Sequence, residues 1–164
     1  MNESKYEKLA NEMAEWGNTV SALSYLIKHC CLINDWVYAE IWCPDTKQNF
    51  MTWAGSWARN DNYFEKFSKY SSYFKFAKGV GLIGKTWGDK KLVINNDIIN
   101  DKEFLRGDIA LKCRLFSAAG IPITKNGEVI SVICFFFEKI GGPEKTELNN
   151  LFNYLSPIIE KKLP

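Results

Sequence analysis

The sequence has a single histidine, His29, and it sits beside Cys30 in an amphipathic stretch, the position of a packed or surface residue and not of a haem ligand. Five cysteines, an odd number with no CxxC pair, do not describe a disulfide framework. A basic-then-apolar leader is missing from Met1-Asn2-Glu3, and with the unpaired cysteines this points to a reducing cytoplasm. An excess of one charge sign is missing as well. Lys and Arg number 21 against 19 Asp and Glu, and the lysines are spread along the chain, so composition offers no argument for a nucleic-acid partner or an anionic membrane. No apolar run approaches the roughly 20 residues that cross a bilayer.

What the sequence does have is apolar and aromatic mass. Hydrophobic residues make up 46% and aromatics 15%, which excludes disorder and leaves six tryptophans, more than a minimal core requires. At 164 residues the chain can bury a core without disulfides or metals. It reads as one domain over 1–164, with its core over about 20–162 and an N-terminal helix over 1–19 that can serve as a dimer element.

In chain order, Tyr6, Leu9, Met13, Trp16, Val20, Leu23, Ile27 and Cys30 step by three and four, a helical seam that fits either the chain's own sheet or a second copy. Gly17-Asn18 predicts a break in it. Trp36 to Cys43 alternates as a strand, with Val37, Ala39, Ile41 and Cys43 on one face and Trp36, Tyr38, Glu40 and Trp42 on the other. After a turn at Pro44-Asp45, Asn49 to Ala58 puts Met51, Trp53, Gly55 and Trp57 on a single face. Asn60-Asp61 can cap a helix carrying Tyr63, Phe64, Phe67, Tyr70 and Phe74, an aromatic stripe that core packing explains. Three glycines follow in Gly79-Val80-Gly81-Leu82-Ile83-Gly84-Lys85-Thr86-Trp87, read as a hinge and the floor of a pocket.

Leu92-Val93-Ile94 is a short strand, and Asn100 with Glu103 has capping-box spacing for a helix through Phe104, Leu105, Ile109 and Leu111. Leu115 to Ile123 and Val129 to Glu138 form a hairpin through Asn126-Gly127. The second of these strands is apolar on both faces and needs cover on both. The last helix starts at Gly142-Pro143 and carries Pro157, which should kink it. This order gives an α+β fold: an antiparallel sheet with terminal helices on one face and short helices and loops over a pocket on the other.

Several of these residues together resemble a GAF domain. They are Trp36 to Trp42 on the first strand, Gly79 to Trp87, Asp97 with Phe104, Ser117-Ala118-Ala119-Gly120-Ile121-Pro122-Ile123, and the hairpin from Asn126 to Phe136. The resemblance covers roughly Trp36 to the final helix. It implies a small-molecule sensing fold of bacterial signalling proteins, where it usually sits beside kinase, cyclase or PAS modules. It names no ligand and no cofactor.

Three kinds of site chemistry are open to this frame. Gly79, Gly81 and Gly84 could cradle a phosphate, but Lys85 lies outside a full P-loop pattern, and tight packing explains the glycines. Cys113, between Lys112 and Arg114, is the candidate nucleophile, because flanking cations favour thiolate. The resemblance includes the free methionine sulfoxide reductases, which need a second, resolving cysteine, and none lies between Gly79 and Lys112. It also includes bilin photoreceptors, whose attaching Cys is commonly followed by His, whereas Arg114 follows Cys113. Trp42, Trp53, Trp57, Phe74 and Trp87 can form an aromatic box, although core filling is the default explanation, and Arg106, Lys112 and Arg114 can orient an anionic ligand but need none as solvated helix residues.

The expectation is a non-enzymatic sensory domain that binds a small molecule and signals through its terminal helices as a homodimer or to a signalling partner. The pocket candidates are Trp42, Trp53, Trp57, Phe74, Trp87, Arg106, Cys113 and Arg114, with no metal. The alternatives are an interaction module without ligand and a thiol enzyme centred on Cys113.

Overall fold

The computed structural model describes residues 3–164; Met1 and Asn2, part of the stretch that lacks a basic-then-apolar leader, lie outside the described residues. The N-terminal seam forms two helices, α1 (Glu3–Met13) and α2 (Thr19–Asn34), with the break where Gly17-Asn18 predicts it. Asn18 caps α2, its side chain accepting from the Ser21 N–H at 2.9 Å. At the far end Asp35 takes the left-handed conformation and stops the helix.

Six strands form one antiparallel sheet in the order β3-β2-β1-β6-β5-β4: β1 (Tyr38–Pro44), β2 (Met51–Ala58), β3 (Lys75–Phe76), β4 (Val93–Asn95), β5 (Ser117–Lys125) and β6 (Glu128–Phe137). Asn126 and Gly127 both have positive φ, as the tight β5–β6 turn requires. Both faces of β6 are buried from Ser131 onward.

Helices α1, α2 and α6 (Lys145–Lys162) cover one face, burying Leu9, Met13, Leu23, Ile27, Leu151 and Leu155 against Ala39, Ile41, Ile133 and Phe135. The seam is therefore spent largely within the chain, and Trp16 and Val20 remain exposed. α1 and α6 run side by side, tied by Tyr154 Oη donating to the Glu3 carbonyl (3.1 Å) and Lys162 Nζ to Asn11 Oδ1 (2.6 Å). The other face is covered by α3 (Asp61–Ser71), α4 (Gly81–Asp89) and α5 (Gly107–Lys112).

Local expectations are corrected at several places. β2 carries a bulge: Ile41 pairs with Gly55 but Trp42 pairs with Trp53, so Ala54 is the extra residue. One inserted residue reverses the faces, and Trp53 and Trp57 end on opposite sides of the sheet. At the start of β1 the alternation also fails, with Trp36 packing on Phe135 and Phe137 under the terminal helices and Val37 on the opposite face. The glycine stretch is mostly helix α4, with positive φ at Gly79 and Gly81, and Gly84 so close to the Ala77 carbonyl that a Cβ would lie 2.1 Å from it. The helix expected from Asn100 begins only at Gly107. Asp97 and Asp101 instead accept from the Ile99, Asn100 and Glu103 N–H groups and hold 97–103 in turns.

α3 ends at Ser71, short of Phe74, and α6 starts at Lys145, two residues after Pro143. Pro157 lies inside α6 without ending it.

Candidate functional site

The sheet and α3–α5 enclose a closed chamber, filled by the chain's own side chains, on the face of β1 that carries Tyr38, Glu40 and Trp42. Alternation alone puts those three side by side, but Glu40 is a carboxylate with no exposed surface in an aromatic wall, which water cannot reach to solvate. Its partner is Arg106, which directly precedes α5 and is 2% exposed. Arg106 Nη1 donates to Glu40 Oε1 at 2.9 Å, to Oε2 at 2.8 Å, and to Ser71 Oγ at the end of α3 at 2.6 Å. Tyr38 Oη donates to Glu40 Oε1 (3.1 Å) and Trp42 Nε1 to Oε2 (3.0 Å), so the carboxylate is fully satisfied.

The guanidinium is less well served. Five rings surround it, with Cζ 5.2 Å from the centroids of Phe67 and Phe104, 5.4 Å from Trp42 and Phe136, and 5.8 Å from Phe76. Cation–π attraction in a dry setting is worth about 2 kcal/mol for a good contact. Nη2 nevertheless has no hydrogen-bond acceptor although it is buried. An unmet buried donor costs about 1–3 kcal/mol. Burial lifts the Tyr38 phenol well above its ordinary range, with the Glu40 charge adding to it, and the Cys134 thiol, paired across the sheet with Glu40, is raised for the same two reasons.

The candidates separate accordingly. Trp42 and Arg106 are at the centre of the chamber. Trp53, Phe74 and Trp87 belong to the same apolar cluster, Phe74 stacked on Phe76 at its edge and Trp87 with Lys78 Nζ 4.8 Å from its ring centroid. Trp57 packs under the terminal helices, so the five-ring box expected from sequence does not form. Arg106 is not a solvated helix residue, whereas Arg114 and Lys112 are exposed. Cys113 is buried, its Sγ 4.0 Å from the Tyr63 carbonyl, and burial raises its pKa against a smaller lowering by the Phe67 backbone and Lys66. The expected activation by Lys112 and Arg114 is overturned, because both side chains point to solvent and the sulfur does not.

Sequence reading missed Glu40, Ser71, Phe67, Phe76, Phe104 and Phe136 as site residues. A visible signal existed for Glu40, a lone carboxylate between Tyr38 and Trp42 on an aromatic strand face. The phosphate reading fails locally, since the Gly79 N–H is donated to the Gly84 carbonyl (2.8 Å) and Lys85 is paired with Glu103. Beside α4 a concavity of about 260 Å³ is lined by Lys85 together with Asp101 and Glu103, so its cation is outweighed by acids, which disfavour a phosphate. Among the described residues no group of His, Cys, Asp and Glu side chains could hold a metal ion.

No protein-family model and no curated protein sequence matches the chain. Solved structures do. The GAF domain of a phosphoenolpyruvate-protein phosphotransferase from Coxiella burnetii superposes with a TM-score of 0.73 at 15% identity, covering 97% of this chain and 93% of that one. Free methionine-R-sulfoxide reductase from Neisseria meningitidis, in complex with its substrate, gives 0.72 at 16% identity over 99% of this chain and 90% of that one. The reduced enzyme of Staphylococcus aureus gives 0.70 at 18% over 99% and 96%. The fold is GAF-like. GAF domains and free methionine-R-sulfoxide reductases both have this fold, so the fold by itself assigns no function.

Proposed function

We propose that the chain is a non-enzymatic regulatory domain of the GAF type, cytoplasmic, in which a small molecule acts at the chamber and the terminal helices carry the response to a second copy or a signalling partner. The observation that carries this reading is the Glu40–Arg106 pair. A buried ion pair is often no more stable than well-packed apolar residues of the same volume, and this one leaves a donor unmet. A position where stability is given up in the middle of a core is a functional-site candidate.

The non-enzymatic part is supported by Cys113, whose buried thiol is held in the protonated, poorly nucleophilic form. Coupling to the helices has a short route. Tyr38, Glu40 and Trp42 face the chamber while Ala39 and Ile41 of the same strand face the helix layer, so a shift of β1 is felt on both sides. Ligand binding would act as a population shift between two packings of that strand and the helices on it.

A second reading, an interaction module without ligand, is favoured by one observation: Tyr38, Trp42, Phe67, Phe136 and Arg106 fill the chamber with the chain's own side chains. A thermal-shift screen of metabolites on the wild type and on Glu40→Gln, with native mass spectrometry of fresh protein, separates the two. The regulatory reading expects a compound that stabilises the wild type and loses its effect in Glu40→Gln. A panel that leaves the wild type unmoved, with a dimer in sedimentation, selects the interaction module.

A further inference from the structure

We infer that the chamber is a receptor for a small guanidinium-bearing cation, and that Arg106 occupies it as a built-in stand-in that the external ligand displaces. The inference rests on the regulatory reading above and names the ligand class for that site.

The chemistry left when the Arg106 head group is taken away decides the class. One carboxylate, Glu40, remains at the floor with the Ser71 hydroxyl beside it, walled by Trp42, Phe67, Phe76, Phe104 and Phe136. A neutral replacement leaves the buried carboxylate without its counter-charge, and an anion adds repulsion to that loss. The replacement must therefore be a cation. A primary ammonium is compact and strongly hydrated, while a guanidinium is flat, weakly hydrated and able to lie against ring faces. The wall of five rings fits the second and strips water from the first.

The present occupant can be improved upon. Held by its own backbone, Arg106 reaches Glu40 and Ser71 through Nη1 alone, and Nη2 is left without an acceptor. A free guanidinium is not bound to that approach and can turn two nitrogens to the two carboxylate oxygens.

The segment that delivers Arg106 is fastened mostly to itself, the Phe104 N–H donating to the Asp101 carbonyl (3.0 Å) and the Gly107 N–H to the Phe104 carbonyl (3.2 Å). α5 has no side-chain cap, Leu105 is 64% exposed, and the turns before it are held by the exposed Lys85–Glu103 pair and the side chains of Asp97 and Asp101. Ile98 and Phe104 are the buried anchors. Withdrawal of Arg106 thus requires Asp101–Gly107 to rearrange and leaves the sheet in place.

Arg106→Ala removes ethylguanidinium from the side chain, so ethylguanidinium chloride is the probe. In Arg106→Ala it is expected to raise Tm by about 3–5 °C at tenfold saturation, with no such rise from ethylammonium or sodium chloride at equal concentration, and none when Glu40→Gln is added. In the wild type it is expected to speed hydrogen exchange over 101–107 selectively. An equal response to ethylammonium, or an unmoved wild-type segment 101–107, overturns the inference. Should Arg106→Ala not fold, the wild-type exchange decides alone. A neutral or acidic metabolite that stabilises the wild type while ethylguanidinium does nothing would overturn the ligand class and leave the regulatory reading standing. Rescue of Arg106→Ala with every compound inert on the wild type would overturn both the displacement and the regulatory reading.

Discussion

Both oxygens of the Glu40 carboxylate are bound by one nitrogen of Arg106, Nη1, at 2.9 and 2.8 Å, while the second terminal nitrogen of the same guanidinium has no acceptor. The pair joins the centre of the sheet to the start of α5, and through Ser71 to the end of α3.

Breaking it from either side should be costly and non-additive. Arg106→Met and Glu40→Gln each leave a buried group without its partner, at about 3–5 kcal/mol. The double variant should lose clearly less than the sum of the two, by at least about 1 kcal/mol. Urea unfolding of the four proteins measures it, and strict additivity would mean that the two groups do not depend on each other.

Two glycines should be irreplaceable for a packing reason. A Cβ on Gly84 would lie 2.1 Å from the Ala77 carbonyl, and one on Gly120 would lie 2.2 Å from Thr86 Oγ1, where α4 presses on β5. Gly84→Ala should cost about 3 kcal/mol, since backbone has to move. Gly17→Ala has nothing within 4 Å and should be near neutral by the same urea measurement.

Stability should fall at high pH. Burial pushes the Cys30 thiol up to about 12 from an ordinary 9.0, raises Cys31 in the same direction, and takes the Tyr6 phenol to about 12. These groups are held neutral in the folded chain, so the unfolded chain loses its protons first. The stabilisation is complete below about pH 9 and is lost as pH rises toward 12. The urea midpoint should drop across that window, and less steeply in Cys30→Ala.

Cys113 should be unreactive in the folded protein. With the thiol buried and its pKa raised, alkylation by iodoacetamide at pH 7.5 should run at least about tenfold slower than in urea. Peptide mass spectrometry after mild peroxide should find the residue unoxidised. Rapid sulfenic acid formation at Cys113 would favour the thiol-enzyme reading.

Much of this architecture was legible in sequence, because its signals are local. Asn126-Gly127 fixes a turn, Gly17-Asn18 breaks a helix, and the doubly apolar β6 requires layers on both sides. The chamber was legible only in part. Tyr38, Glu40 and Trp42 share a face by alternation, but Trp57 leaves that face through a one-residue bulge at Ala54 that composition does not announce. Arg106 was legible as a pocket candidate, but only as one of three cations able to orient an anionic ligand; its burial against Glu40 was hidden, because Leu105 reads as the buried residue of that stretch. Only the fold shows Leu105 exposed and Arg106 buried, 66 residues in sequence from the carboxylate it meets.

The link from chamber to terminal helices is tested most directly by hydrogen exchange on Glu40→Gln compared with the wild type. The expected result is faster exchange in β1 together with α1 and α6, the helices tied by Tyr154 to Glu3 and Lys162 to Asn11, beyond what the change in global stability requires. Loosening confined to α3, α5 and 101–107, with α1 and α6 protected as in the wild type, would contradict it.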